Sequence, residues 1–293
     1  WTLEEYASKI KSFVVVDPIT VTNICCWFDG LTLDSIEGLD NITVKNGYNQ
    51  ESLFEGLTID YLDCSSFLLK NFSKSGLYDR AFFDAHIGKL ILPNVPVNRG
   101  ENLFSGFVGS VEGLNNLDFS KCSSLYGAFS RSNFTPEIDE FDINVEDSAI
   151  KYSGGGSYIF QYCTGIRKIV MTGKLSWGSP LDLTYMFNDC EAEEIVFPEL
   201  ESIRGCDIFG AGVPNLKKFT MSYDFRSIKD KISMTYNGKE IWVKSENTGR
   251  VFNLNNVTGE DRNFSGTYIV CKDRDFKLDK LKSVKVKSFI GDI

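Results

Sequence analysis

The chain has 293 residues, of which 42% are hydrophobic, enough to bury a sizeable core. Its formal net charge of −9 excludes the Lys/Arg-rich surface that a nucleic-acid binder needs to displace counterions, and it disfavours docking on anionic lipid. No run reaches the roughly 18 apolar residues of a spanning helix, so membrane insertion is not expected.

In chain order, Thr2-x-x-Glu5 reads as a capping box, and Leu3, Tyr6, Ile10 and Phe13 then share one helical face. This predicts a helix over 2–13 within an N-terminal cap, 1–27. Phe13–Val16 can also run as a strand before Pro18. From there an apolar pattern h-x-x-h-x-h returns about every 25 residues. It reads Leu39-x-x-Ile42-x-Val44, Ile59-x-x-Leu62-x-Cys64, Ile87-x-x-Leu90-x-Leu92 and Leu114-x-x-Leu117-x-Phe119. It continues as Ile138-x-x-Phe141-x-Ile143, Ile166-x-x-Ile169-x-Met171, Ala192-x-x-Ile195-x-Phe197 and Leu216-x-x-Phe219-x-Met221. Ahead of each triplet stands a phenylalanine: Phe28, Phe54, Phe82, Phe104, Phe129, Phe160, Phe187 and Phe209.

The last two apolar residues of a triplet are two apart and face one side of a short strand, with the residue between them facing out. A coil of this length cannot bury its apolar face alone, whereas stacked coils share a continuous core. The expected fold is therefore a β-rich solenoid of about eight coils over 28–228. Its strands 42–44, 62–64, 90–92, 117–119, 141–143, 169–171, 195–197 and 219–221 should form one parallel sheet in sequence order, and the phenylalanines a stacked spine. The outward row between the inward pairs is Thr43, Asp63, Ile91, Asp118, Asp142, Val170, Val196 and Thr220, the candidate binding face.

The stretches Ile159–Met171, Met186–Pro198 and Ile208–Met221, with an aromatic, a short turn and then an apolar triplet, resemble the BspA-type leucine-rich repeats of bacterial surface proteins. In the first two the turn carries Cys163 or Cys190. Ala81–Pro93 ends on the same proline. The resemblance spans about residues 28–225 and implies a leucine-rich-repeat-like, right-handed coil stack used for adhesion or recognition. Standard Asn ladders are missing, and several coils carry insertions. Such repeats also occur in protist surface proteins and phage-encoded proteins, so the implied location is extracellular, at a cell surface or on a phage virion.

Beyond about residue 228, alternation around Asn237-Gly238 predicts a hairpin, Thr267–Cys271 a strand, and Asp273–Lys282 a charged helix. Residues 229–293 thus read as a β-rich C-terminal cap or small domain. The insertion 144–158 carries Ser153-Gly-Gly-Gly-Ser157 without the strand and helix that a phosphate cradle needs, and reads as a flexible loop.

Residue types that carry chemistry are sparse. His86 is the sole histidine, without a surrounding triad motif. The eight Cys fall about one per coil, the pattern of buried thiols and not of a zinc site. Asp139, Glu140, Asp142, Glu146 and Asp147 are dense enough for Ca²⁺ but lack a Gly-centred loop, so they read first as a solvated strand face. No cofactor or metal is expected. Asn41, Asn71, Asn133, Asn256 and Asn263 satisfy the glycosylation sequon, which chance alone produces in an Asn- and Ser-rich chain.

Three functions remain open. One is a non-enzymatic recognition module binding a protein or glycan partner through the sheet face or loops. The second is a structural virion or envelope component within a larger assembly. The third is a glycan-active enzyme using paired carboxylates, which need proximity only in space.

Overall fold

The computed structural model describes residues 8–45, 50–145, 155–175, 181–200, 203–204, 208–222, 235–236, 239–240, 242–253 and 266–271. It is a β-solenoid of about seven turns with a mostly parallel sheet and few helices. In chain order the strands are β1 (Ser12–Val14), β2 (Ile19–Val21), β3 (Ser35–Glu37), β4 (Ile42–Val44), β5 (Thr58–Asp63), β6 (His86–Ile91), β7 (Val108–Glu112), β8 (Asn133–Asn144), β9 (Thr164–Thr172), β10 (Lys174–Leu175), β11 (Leu181–Asp182), β12 (Glu194–Leu200), β13 (Ile203–Arg204) and β14 (Lys218–Ser222). After these come β15 (Thr235–Tyr236), β16 (Lys239–Glu240), β17 (Trp242–Ser245), β18 (Val251–Asn253) and β19 (Gly266–Cys271).

The main sheet runs β5-β6-β7-β8-β9-β12-β14 with every pair parallel, as one strand per coil requires. It then turns antiparallel through β19, β17 and β18. The strands are longer than the inward pairs alone. Ile59 and Leu62, Ile87 and Leu90, Ile166 and Ile169 all point inward, and both residues between each pair face out. A bulge makes this possible, because two outward residues in succession break the strict alternation of a strand. β15 and β16 pair antiparallel across the two-residue Asn237-Gly238 step, in agreement with the hairpin expected there.

The phenylalanine column forms as the spacing predicts. All eight rings are at most 1% exposed. Consecutive centroids lie 5.2, 5.4, 5.0, 5.7, 5.2, 5.4 and 6.2 Å apart from Phe28 to Phe209. From Phe82 to Phe187 the rings lie within 10° of parallel. Inward sheet residues meet them edge-on, as with Phe141 against Phe129 and Phe197 against Phe187.

The turn that presents each ring has a repeated backbone. All ten non-glycine residues with positive φ lie two residues before or after a column phenylalanine: Cys26, Ser52, Arg80, Asp84, Asn102, Arg131, Tyr158, Tyr162, Tyr185 and Asp189. Gly30, Gly56, Gly106 and Gly127 fill other such places. Left-handed residues on both sides of the ring aim three N–H groups along the stack. Cys26, Phe28 and Gly30 donate to the carbonyls of Glu51, Leu53 and Glu55, and Tyr158, Phe160 and Tyr162 donate to those of Thr184, Met186 and Asn188. Each coil is thus bonded to the next on the spine side as well as through the sheet, which satisfies backbone groups that would otherwise be buried unpaired.

Several expectations are corrected. The helix expected over 2–13 does not reach its end, because Ser12–Val14 is β1, paired with β3; residues 2–7 lie outside the described residues. Segments 42–44 and 117–119 are not in the main sheet. β4 pairs with β2, and Asp118 bridges Pro96. The cause is a shared local sequence, Ser35-Ile-Glu-Gly-Leu-Asp-Asn41 and Ser110-Val-Glu-Gly-Leu-Asn-Asn116. In both, Ser-h-Glu is the sheet-forming segment. The glycine is left-handed (φ 72 and 87), a 3-10 turn follows, and the final Asn amide donates to Val15 O (2.7 Å) or Leu92 O (3.4 Å). That turn carries the following h-x-h away to a second row.

One helix was not foreseen, α1 (Ser65–Phe72), which buries Phe67, Leu68 and Phe72. Asn71, in one of the sequons, accepts from Val44 N–H (2.8 Å) and donates to Ile42 O (3.2 Å) and Phe67 O (2.9 Å). Its amide therefore fastens the helix to β4.

Candidate functional site

The outward face of the main sheet is built by the alternation just described. None of the eight candidate residues is buried, and the register shows which of them meet. Asp142 pairs with Val170, Val170 with Val196, and Val196 with Thr220. Thr267 continues the row, its hydroxyl 3.1 Å from that of Thr220. At the other end Asp63 pairs with Ile91, and Ile91 with Glu112. Glu112, and not Asp118, is the outward residue of that coil. Thr43 and Asp118 are not brought to this face: Thr43 lies opposite Thr20, and the Asp118 carboxylate accepts from Ser120 N–H (2.9 Å) at a corner. The Asp63 carboxylate likewise accepts from the Ser65 N–H (2.9 Å) and hydroxyl (2.6 Å), holding the entry of α1.

The two half-rows meet at Asn115. Its side-chain amide donates to Glu140 O (3.2 Å) and accepts from Asp142 N–H (3.1 Å). It therefore serves β8 as a neighbouring strand would, at the place where β7 has already ended.

Beside the Asp142–Thr220 row runs a second feature that was not anticipated. The paired outward residues of each bulge are Asp139-Glu140, Arg167-Lys168, Glu193-Glu194 and Lys217-Lys218, so their sign alternates from coil to coil. Arg167 Nε lies 3.2 Å from Asp139, Lys168 Nζ 2.7 Å from Glu140, and Lys217 Nζ 2.5 Å from Glu193. Glu140 holds the Lys168 ammonium above its ordinary pKa through that hydrogen bond. Like charges opposite one another would be destabilising, so a coil displaced by one place is penalised. The acidic cluster foreseen as a solvated face is thus half neutralised by the next coil; Glu146 and Asp147 lie outside the described residues. The alternation was visible in the sequence as Asp-Glu, Arg-Lys, Glu-Glu and Lys-Lys, each before an inward Phe or Ile.

Groups with chemical potential elsewhere are in structural use. Asp79 is the one buried carboxylate among the described residues. Burial pushes it up to about 7, against the opposing pull of Arg99, whose Nε lies 3.1 Å away. Its Oδ1 accepts from Glu101 N–H (3.0 Å), tying one coil to the next. Cys163 and Cys190 are buried in successive coils; hydrogen bonding to Cys163, then burial, raises the Cys190 thiol pKa. Cys206, and Ser153 and Gly154 of the glycine-rich insertion, lie outside the described residues. His86 is exposed at the start of β6. Among the described residues no three His, Cys, Asp or Glu converge as a metal site.

The site is therefore a rigid, nearly flat strip: a carboxylate, two half-buried valines and two threonines, flanked by zipped charges. No family model, curated protein or solved structure matches the chain.

Proposed function

We propose that the chain is a non-enzymatic recognition module of a bacterial cell surface or phage particle, a BspA-type, leucine-rich-repeat-like solenoid that holds a protein partner on its sheet face. The observation that carries this reading is the registered row Asp142–Val170–Val196–Thr220. Aliphatic side chains set between hydrogen-bonding groups on a preorganised scaffold bind a protein surface at little ordering cost. The charges beside them are already paired across coils, so they frame the strip without repelling a partner. The repeat reading is supported by the phenylalanine column and by the Cys at the same place in two successive coils. In this reading the antiparallel strands β19, β17 and β18 close the C-terminal edge of the stack, and the N-terminal segment closes the other.

The test is adsorption of the fluorescently labelled chain to intact bacterial cells before and after the cells are shaved with protease. Saturable, protease-sensitive adsorption is expected. Asp142→Arg with Val170→Glu should abolish it while leaving the melting temperature unchanged, and His86→Ala should not alter it. Normal adsorption by the double variant would move the site off the sheet. Co-sedimentation with assembled particles in place of saturable adsorption would favour the structural alternative, and release of reducing sugar from polysaccharide would favour the enzyme.

A further inference from the structure

A second surface, on the spine side, has a chemistry that the sheet face lacks. Tyr126, Tyr158 and Tyr185 stand in three successive coils just before the column phenylalanines Phe129, Phe160 and Phe187. Their rings follow one another along the stack at 5.5 and 5.8 Å, with interplanar angles of 71° and 53°. The buried phenylalanines beneath are nearly parallel and cover one another's faces. The tyrosines are tilted, so their π faces are not closed by their neighbours. Tyr126 is 40% exposed, and Tyr162, in the same turn as Tyr158, is 45% exposed.

The backbone under these rings adds an independent sign. Tyr158, Tyr162 and Tyr185 have φ of 60, 57 and 55. That region is uncomfortable for a bulky L side chain and is native to glycine, and held outliers of this kind concentrate at sites of function. The coil before Tyr158 carries Gly127 at the equivalent place, with φ 59. The turn is thus built equally well without a ring, and the tyrosines are not needed to make it. They are not core residues either, since the phenylalanine column supplies the core.

We propose that Tyr126, Tyr158 and Tyr185 form a stacking ridge for a linear, neutral, hexose-based glycan. Aromatic rings placed one per coil present a repeating series of apolar faces to a repeating polymer, and a sugar ring offers axial C–H groups to each. The bordering groups are short and polar: Gln161, Thr184 and Asp189 can exchange hydrogen bonds with hydroxyls, and among the described residues no exposed aliphatic side chain widens the strip into the apolar patch that a protein hot spot needs. The net charge of −9 works against an acidic polysaccharide. This site shares no residue with the sheet face, so the two proposals stand or fall separately.

The experiment is isothermal titration and affinity electrophoresis of the full chain with hexamers of β-1,4-linked glucose, α-1,4-linked glucose, β-1,4-linked mannose and β-1,4-linked N-acetylglucosamine. At least one hexamer should bind, and its trimer should bind more weakly. Tyr158→Gly with Tyr185→Gly places in both turns the residue their backbone favours, so the variant should fold with no loss of melting temperature. It should weaken binding about tenfold, the equivalent of two lost aromatic contacts. Tyr158→Phe with Tyr185→Phe should retain binding, because the ring and not the hydroxyl does the stacking. Asp142→Arg with Val170→Glu should bind the glycan normally even where it has lost the sheet-face partner. The proposal is overturned if none of the four hexamers binds. It is equally overturned if removal of both rings leaves affinity unchanged, or if it abolishes capture of a protein while glycan affinity stays the same.

Discussion

Phe187→Ala should lower the stability of the folded chain by about 3–5 kcal/mol, the range for a large-to-small change in a well-packed core. The ring is fully buried and touches three others: Phe160 at 5.4 Å face to face, Phe197 at 5.3 Å edge-on and Phe209 at 6.2 Å. Its truncation opens a gap that the neighbouring coils cannot close without breaking the N–H bonds from Phe187 and Asp189 to Ile208 and Gly212. Because each coil of a solenoid contacts only its neighbours, the loss should loosen the C-terminal coils first. Denaturant midpoints compared with Phe83→Ala check this. Phe83 is only half buried, with the Arg80 guanidinium 4.0 Å above its ring, and its truncation should cost clearly less. Equal midpoints for the two variants would mean that the column is not the core.

Gly165→Ala should be among the most damaging single methyls in the chain's described part. Gly165 has φ 78, and a Cβ there would lie 1.9 Å from the carbonyl oxygen of Phe134 in the preceding coil. A backbone atom cannot swing aside as a side chain can, so β8 and β9 would have to part at their start. The left-handed conformation alone accounts for about 1–2 kcal/mol, and the clash adds to it. Gly30→Ala is the matched control. Its φ of 65 carries the same conformational penalty, but nothing lies within 4 Å of the added methyl. Thermal melts should therefore show a small shift for Gly30→Ala and a much larger one for Gly165→Ala. Similar shifts would show that the two coils are not pressed together at that point.

How far these features could be read in advance depended on which physical signal each one left. The phenylalanine column was legible because one large apolar residue per coil must stack on the next. The parallel order of the sheet followed for β5, β6, β8, β9, β12 and β14, where an apolar triplet meets the core directly. It was misplaced for Thr43 and Asp118 because Glu-Gly-Leu-x-Asn inserts a left-handed turn before the inward pair, and apolar periodicity does not register backbone handedness. The Glu-Gly step was the signal available. α1 was missed because Phe67, Leu68 and Phe72 lie within a return segment too short for a helical period to stand out. The charge ladder was overlooked because the bulge puts two residues outward, where a plain strand would put one. Asn115 could not be found from sequence at all, since its role depends on β7 stopping short of β8. Of the candidate face, the half from Asp142 to Thr220 came through intact, and the N-terminal half was redrawn with Glu112.

The claim on which both binding surfaces depend is that the coils stack in sequence order along one axis. Spin labels at Ile91 and Thr220 test it directly once Cys25, Cys26 and Cys271 are replaced by serine, since the remaining described thiols are buried. β6 and β14 are separated by β7, β8, β9 and β12, so five inter-strand steps of about 4.8 Å predict backbones about 24 Å apart. A single narrow distance distribution near that value, lengthening by about one step when the first label is moved to Asp63, is the expected result. A broad distribution, or a distance that shortens on moving to Asp63, would contradict the stacked order.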